Sequence, residues 1–409
     1  MLTGSLKDKW IRSTFSTNFN SLIKDIDNKR LLVSYKKSKK GKLKFTSNVK
    51  MVVKLLRSLS LCRYQAMLLR KYFQYPEKYL RLDCDRLVFT IDCSKKDIDA
   101  ILKPIGKSKE FRFKRVLANS RLKISNSSVS NINKGWCLSS KEKAKARPYY
   151  SHAFQIQVDD SSHKLVYVHI ADGSHMGNAK YALRVDMIPQ HLTEDDFGSI
   201  LQHFGNRLGH RRFNQLLRKA RLTRIDFGFL LLGVSSLFVQ SYRNVKKSIQ
   251  SSTKPKEKGS VVETVYFNNN KESSHFIVYE KLLKEAKNHS NIENILDTLA
   301  VTTRIEYRHY PYRSRETRML SDMLSVPAPL ASIIVISPRH FYLLPTKCIK
   351  DMFLYKTHSD TKERVDEIRK VLLQHRKRVK KFKLNQNWLK REQDKLAKKY
   401  EQLIFKSYA

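Results

Sequence analysis

Four residues stand out for the chemistry they could do together. Tyr279 and Lys281 lie two apart at the end of an apolar stretch, His275-Phe276-Ile277-Val278-Tyr279-Glu280-Lys281. Asp226 is embedded in Leu222-Thr223-Arg224-Ile225-Asp226-Phe227-Gly228-Phe229, and Glu306 in Arg304-Ile305-Glu306-Tyr307-Arg308. A phenol is a weak nucleophile at neutral pH, because its ordinary pKa is about 10. A neighbouring lysine and a divalent metal would each favour the phenolate or polarise a target phosphate. A tyrosine, a lysine and two carboxylates on adjacent strands are the parts needed for phosphoryl transfer to tyrosine.

The carboxylates need an explanation of their own. Residues two apart on a strand face the same way. Arg224 therefore shares a face with Asp226, and Arg304, Glu306 and Arg308 share another. A carboxylate inside an apolar strand is costly unless it is paired or metal-bound. Both solutions are open here: arginine–carboxylate pairs on the sheet face, or a metal ion. Two absences narrow the chemistry. There is no Gly-rich phosphate loop of the Walker type, which argues against an ATP-driven motor. The thirteen histidines include no His-x-His pair, so no two of them can hold a metal from one strand face at that spacing.

These residues must be positioned by strands. Leu87 to Ile91 is rich in strand formers. Ala153–Val158 and Leu165–Ile170 alternate with period two around Asp159-Asp160-Ser161-Ser162, which predicts a hairpin. Tyr181 to Ile188 is a third candidate strand. Thr193, followed by Glu194, Asp195 and Asp196, is expected to cap a helix carrying Phe197, Ile200, Leu201 and Phe204 at helical spacing. Val261–Phe267 and His275–Glu280 read as a second hairpin, with a helix from Lys281 to Asn288. Residues 120–148 read as a long loop and 251–260 as a polar linker. The pattern predicts an α+β fold, an antiparallel sheet with helices packed on one face, with basic helical N- and C-terminal extensions. The expected division is a basic, mostly helical region over 1–80, a catalytic domain over 81–325, and a C-terminal region over 326–409. The last ends in a long basic helix from Asp360, which with Glu363 resembles a capping box.

Charge identifies the partner. The chain has 409 residues, with 81 basic against 37 acidic side chains, a net charge of +44. Self-repulsion on that scale opposes a compact state unless a polyanion neutralises it. Nucleic acid is the usual polyanion, because its condensed counterions are released on binding. Candidate phosphate contacts are the run Lys36, Lys37, Lys39 and Lys40, the strand arginines Arg224, Arg304 and Arg308, and Arg376, Lys377, Arg378, Lys380 and Lys381 in the tail. Five cysteines, Cys62, Cys84, Cys93, Cys137 and Cys348, are widely spaced without any C-x-x-C, as expected of reduced thiols in a cytoplasmic protein. No signal peptide is evident, and the longest apolar run, Phe227 to Leu232, is too short to span a bilayer.

The order of the motifs adds a resemblance. Arg-Ile-Asp, then a Thr-x-Tyr-Phe hairpin closing in Tyr-x-Lys, then Arg-Ile-Glu, resembles the rolling-circle replication initiators. It is most similar to the superfamily of the filamentous-phage gene II protein and its plasmid and conjugative-element relatives. Leu87 to Asp92 is similar to that family's opening strand. The likeness spans roughly residues 84–320. It implies that Tyr279 attacks DNA with Lys281 beside it, and that Asp226 and Glu306 bind Mg²⁺ or Mn²⁺, hard ions suited to carboxylate oxygens. The implied product is a 5′-phosphotyrosyl link and a 3′-hydroxyl primer at a double-stranded origin with an exposed single-stranded nick site. Host helicase and polymerase are implied as further partners, and no membrane. The chain departs from the family at Asn268-Asn269, where Gly-Ser is common. It also has Lys284 and then Glu285 where an acidic residue is common, which leaves any role of Glu280 or Glu285 open. A DNA-binding initiator without catalysis, an RNA-binding protein and a conjugative relaxase are the alternative readings.

Overall fold

The structure, a computed structural model, describes residues 35–37, 43–45, 59–103, 115–116, 121–126, 150–173 apart from 162, 181–232, 234, 239–241, 248–251, 264–267, 274–281, 302–311, 317–326, 330, 333–337 and 381–405. The expectations for Lys39, Lys40, Glu285, Arg376, Lys377, Arg378 and Lys380 lie outside these residues, as do the Asp360 cap and the body of the Lys281–Asn288 helix.

The fold is α+β. Its centre is an antiparallel sheet built from β3 (Asp83–Asp92), β4 (Arg115–Val116), β5 (Leu122–Asn126), β6 (His152–Val158), β7 (Leu165–Asp172), β8 (Tyr181–Met187), β9 (Arg221–Leu232), β11 (Ser248–Ser251), β12 (Thr264–Phe267), β13 (Ser274–Glu280) and β14 (Thr302–His309). The strand order is β11-β12-β13-β14-β9-β3-β8-β7-β6-β5-β4. Meanders on both flanks meet at β3 and β9, which run side by side in the middle although about 130 residues separate them. Period-two patterning explains the register. Ile225, Phe227 and Phe229 of β9 lie level with Ile305 and Tyr307 of β14, and beyond them with Phe276 and Val278 of β13. On the other flank Leu183, Val185 and Met187 face the same way as Phe154, Ile156 and Val158.

Helices cover that apolar face. They are α1 (Leu59–Gln74), α2 (Pro76–Tyr79), α3 (Lys95–Leu102), α4 (Glu194–Leu208), α5 (His210–Arg218) and α6 (Gln386–Phe405). Ile98 and Ile101 of α3, Phe197, Ile200, Leu201 and Phe204 of α4, and Phe213 and Leu217 of α5 join the strand residues in one buried cluster. Capping is as the residue types predict. Thr193 Oγ1 accepts from the Asp196 amide at 3.2 Å while Asp196 Oδ2 accepts from the Thr193 amide at 2.8 Å. Asp159 and Asp160 open the β6–β7 connection as a tight turn, with left-handed φ of 50° and 55° and the Ser161 amide donating to the Val158 carbonyl at 3.0 Å.

Three expectations are corrected. Within the supposed loop 120–148, Leu122–Asn126 is strand, because Leu122 and Ile124 are buried on the helix side. In the N-terminal region, Lys36 and Lys37 belong to β1 (Tyr35–Lys37), paired with β2 (Leu43–Phe45), rather than to a loop or helix. In the tail, Lys381 belongs to β16 (Lys381–Lys383), not a helix. That strand pairs with β15 (Ile333–Ile336), which pairs in turn with β10 (Val239–Ser241). Phe382 fixes it by burying against Phe73 of α1, ring centroids 5.8 Å apart. The tail also reaches the core. Trp388, Leu389, Ala397, Tyr400 and Ile404 of α6 lie in the same cluster as the sheet, with Tyr400 against Phe197 at 5.8 Å. Leu68, Leu69 and Tyr72 of α1 join them, so both flanks of 81–325 contribute to its packing.

Candidate active site

The opposite face of the central strands is polar. On β13, β14, β9 and β3 it carries Tyr279, then Arg304, Glu306 and Arg308, then Arg224 and Asp226, then Asp83, Asp85 and Arg86. Alternation alone would put Asp85 and Arg86 on opposite faces. Between Cys84 and Arg86 the register with β9 shifts by one residue, and Asp85 is the residue that bulges. A bulge re-aims a side chain, and here it turns both residues to the polar side while Cys84 stays in the core.

Every charge in this cluster is matched. The Tyr279 hydroxyl donates to Glu306 Oε1. The other carboxylate oxygen, Oε2, accepts from Arg308 Nη2 at 2.9 Å. Arg308 Nε also lies 3.5 Å from Asp226 Oδ2, so this guanidinium spans the two carboxylates. Arg224 closes on both oxygens of Asp226, with Nε to Oδ1 at 2.8 Å. Arg304 donates to Asp85 through Nε at 3.1 Å and Nη2 at 2.5 Å, and to Asp83 at 3.4 Å. Gly228 leaves room for that pair. A Cβ there would stand 2.8 Å from the Ile305 carbonyl oxygen and 2.9 Å from both Arg304 Nη2 and Asp85 Oδ2. Tyr310 closes one end, stacked on His275 at 5.7 Å with the Arg224 guanidinium 5.1 Å from its ring centre.

Burial makes these interactions strong. Tyr279, Arg304, Glu306 and Asp226 are each at most 5% exposed. Burial, with the charges of Glu306 and Asp85, pushes the Tyr279 phenol well above its ordinary range. Burial also pushes the Asp85 carboxyl up to about 7, against the pull of Arg304 and with the push of Glu306. Burial works against the charge of Arg304, but Asp85 and Asp83 outweigh it and hold the guanidinium protonated. Arg308 is held the same way by Asp226 and Glu306.

The structure thus brings together Tyr279, Asp226, Glu306, Arg224, Arg304 and Arg308. Arg304 is too deeply buried and too fully engaged to contact DNA as it stands, whereas Arg308 keeps 24% of its side chain exposed. Lys281 lies one residue beyond the end of β13, partly buried. Sequence reasoning missed Asp83 and Asp85. The signal was an Asp-x-Asp spacing at the head of an apolar strand, the same kind of pattern that singled out Arg224 and Asp226.

A divalent ion does not fit between Asp226 and Glu306 as their side chains stand. Magnesium demands near-octahedral oxygen ligation, and Arg308 occupies the space between the two carboxylates while Arg224 takes both oxygens of one. Among the described residues, no group of three or more His, Cys, Asp or Glu side chains is placed to hold a metal. Arg224, Arg304 and Arg308 place positive charge in the cluster. The cluster can take a proton from a phenol and neutralise an anion beside it.

No family model matches the chain, and no curated protein matches it. Among solved structures it is similar to a rolling circle replication initiator protein from Geobacillus stearothermophilus, at 15% identity and a TM-score of 0.28, over 77% of this chain and 97% of that one.

Proposed function

We propose that this chain is a replication initiator that binds DNA and nicks one strand by transesterification to Tyr279. The observation that carries the reading is the hydrogen bond from the Tyr279 hydroxyl to Glu306, with Arg308 on the same carboxylate. In the proposed step Glu306 takes the phenolic proton. The tyrosine oxygen forms a bond to phosphorus as the bond from phosphorus to the 3′-oxygen breaks. The 3′-oxygen leaves, takes a proton from water, and becomes a primer terminus. One phosphodiester is exchanged for another, so no energy source is needed and the reverse step can rejoin the strand. Arg308 neutralises charge on the phosphate as it develops, the role in which fixed cations contribute most. Lys281, just past the strand end, is a further candidate for that role, and the excess of positive charge supplies affinity for the duplex.

Burial of Tyr279 and Glu306 favours a second reading, a DNA-binding initiator in which the cluster only supports the sheet. A scissile phosphate reaches the hydroxyl only after the groups over this face move apart. One experiment separates the two. The full chain is incubated with a randomised single-stranded DNA library, and covalent adducts are resolved on a denaturing gel. We expect an adduct from the wild type and none from Tyr279→Phe. An adduct that survives the substitution would remove Tyr279 as nucleophile; no adduct from either, with DNA bound, would establish the binding-only reading.

A further inference from the structure

A second polar cluster lies on the same face, four strands from Tyr279. We propose that Arg184, Arg86 and His169 form a phosphate site that holds a backbone phosphate of the DNA strand whose scissile bond reaches Tyr279. This inference rests on the reading of the chain as a DNA strand transferase.

The cluster is short of acceptors. Arg86 closes on Asp186 through two hydrogen bonds of 2.7 Å each, one to each carboxylate oxygen. Arg184 approaches the same carboxylate only at 3.7 Å. Among the described residues, the buried Arg184 Nε and His169 Nδ1 find no hydrogen-bond partner. Two guanidinium groups therefore share one carboxylate, and the Nε of the second is left without an acceptor. Arg184 and His169 stand directly opposite each other on β8 and β7. His169 is 1% exposed, packed against Tyr150 at 5.6 Å. Burial, with Arg184 and Arg86 nearby, pushes its imidazole down to about 4, against the pull of Asp186, so it is neutral at pH 7. Buried polar groups are rarely left without partners. A tetrahedral anion supplies what is missing, since its oxygens accept from guanidinium and imidazole N–H donors alike.

Position selects a strand phosphate. Four strand spacings separate β13 from β8, roughly 19 Å at ~4.8 Å per spacing. The register sets Tyr279 level with Leu230 of β9 but Arg184 level with Arg221, roughly 30 Å along the strands at ~3.3 Å per residue. The two sites therefore lie on the order of 35 Å apart on a diagonal. At ~3.4 Å per stacked nucleotide, a strand covers that distance in about ten residues. Between the two sites the face offers Arg308, Arg224 and Arg86, all charged. The side chains of Arg86 and Arg184 keep 38% and 20% of their surface exposed, so a strand can reach them.

The test is fluorescence anisotropy of the full chain with a single-stranded oligonucleotide of roughly 20 residues, long enough to span both sites at that spacing, across a range of salt concentrations. Arg184→Gln should weaken binding about tenfold and lower the slope of log affinity against log salt by about one, the mark of one lost phosphate contact. His169→Leu should weaken it in the same direction. Unchanged affinity and slope in an Arg184→Gln protein that melts at the wild-type temperature would overturn the site. If Arg184→Gln does not fold, Arg184→Lys is read instead; it keeps the charge but loses the fork, and should weaken binding without changing the slope. Inorganic phosphate that raises the melting temperature of the wild type but not of Arg184→Gln, with oligonucleotide affinity equal in both, would overturn the assignment to a strand. Because only binding is measured, the Arg184 effect stands even if Tyr279 proves not to be the nucleophile. A wild type that binds no oligonucleotide would overturn both readings.

Discussion

Tyr279 stands opposite Arg304 in the strand register, yet its hydroxyl donates diagonally to Glu306, two residues further along β14. Arg304 is held away from the phenol by Asp83 and Asp85 on β3. The sheet thus separates two arginine roles: one guanidinium locks three strands together, and the other, Arg308, stays beside the reactive pair.

If Glu306 is the proton acceptor, Glu306→Gln should keep the shape of the site and lose its basicity. Adduct formation in a single turnover should fall by ~10²–10⁴, the range for removing a general base. Oligonucleotide affinity should change little. A rate within tenfold of wild type would assign the proton to another group.

Arg308 is expected to exclude divalent ions. Thermal melts with and without millimolar Mn²⁺ should coincide for the wild type. Arg308→Ala opens the space between Asp226 and Glu306, and Mn²⁺ should then raise the melting temperature by a few degrees, as any ligand of the folded state does. A Mn²⁺-dependent rise in the wild type that Asp226→Asn removes would restore the metal site.

Asp85 should make stability depend on pH. Its carboxyl holds a proton up to about 7 in the folded chain, while a free aspartate releases it near 4. Between those values the folded state binds more protons than the unfolded one, so stability falls as pH rises. From pH 5 to 8 the contribution is on the order of 2 kcal/mol at ~1.4 kcal/mol per unit. Urea unfolding at both pH values should show the decline in the wild type and a smaller one in Asp85→Asn. That variant should also be weaker throughout, because Arg304 keeps only Asp83 as a hydrogen-bonded partner.

Gly228→Ala should disturb the site from inside the sheet. Its Cβ would collide with the Ile305 carbonyl, which cannot swing aside as a side chain can. Overpacking of this kind costs about 1–3 kcal/mol. The unfolding free energy from urea titration should drop by that amount, and adduct formation should fall further than stability explains. A fully stable, active variant would mean that β14 shifts freely against β9.

Much of this was legible in the residues. Runs of strand-forming residues, two of them alternating with period two, located most strands of the main sheet, and Arg224-x-Asp226 and Arg304-x-Glu306-x-Arg308 marked one face of two of them. Whether those carboxylates met metal or arginine could not be read, because alternation tells which residues share a face and not which strands are neighbours. Only the juxtaposition of β14 with β9 sets Arg308 between Glu306 and Asp226. Asp85 was hidden for a different reason: a bulge breaks the alternation by which faces are assigned. The basic tail misled through composition. Lysines around Phe382 read as part of a long basic helix, but the stretch pairs with β15 and buries Phe382 against Phe73.

The hydrogen bond between Arg304 and Asp83 joins residues 221 apart in the chain. At the usual pace of synthesis, ~5–20 residues per second, roughly 10–45 s pass between the emergence of one and of the other. Through that interval Asp83 keeps Arg81, 2.9 Å away, but Asp83 and Asp85 both lack the Arg304 guanidinium. A ribosome-bound or truncated chain ending before Arg304 therefore lacks Arg304, Glu306 and Arg308, and with Glu306 the acceptor of the Tyr279 hydroxyl. If the cluster cuts DNA, that competence arrives only when the last central strand is in place.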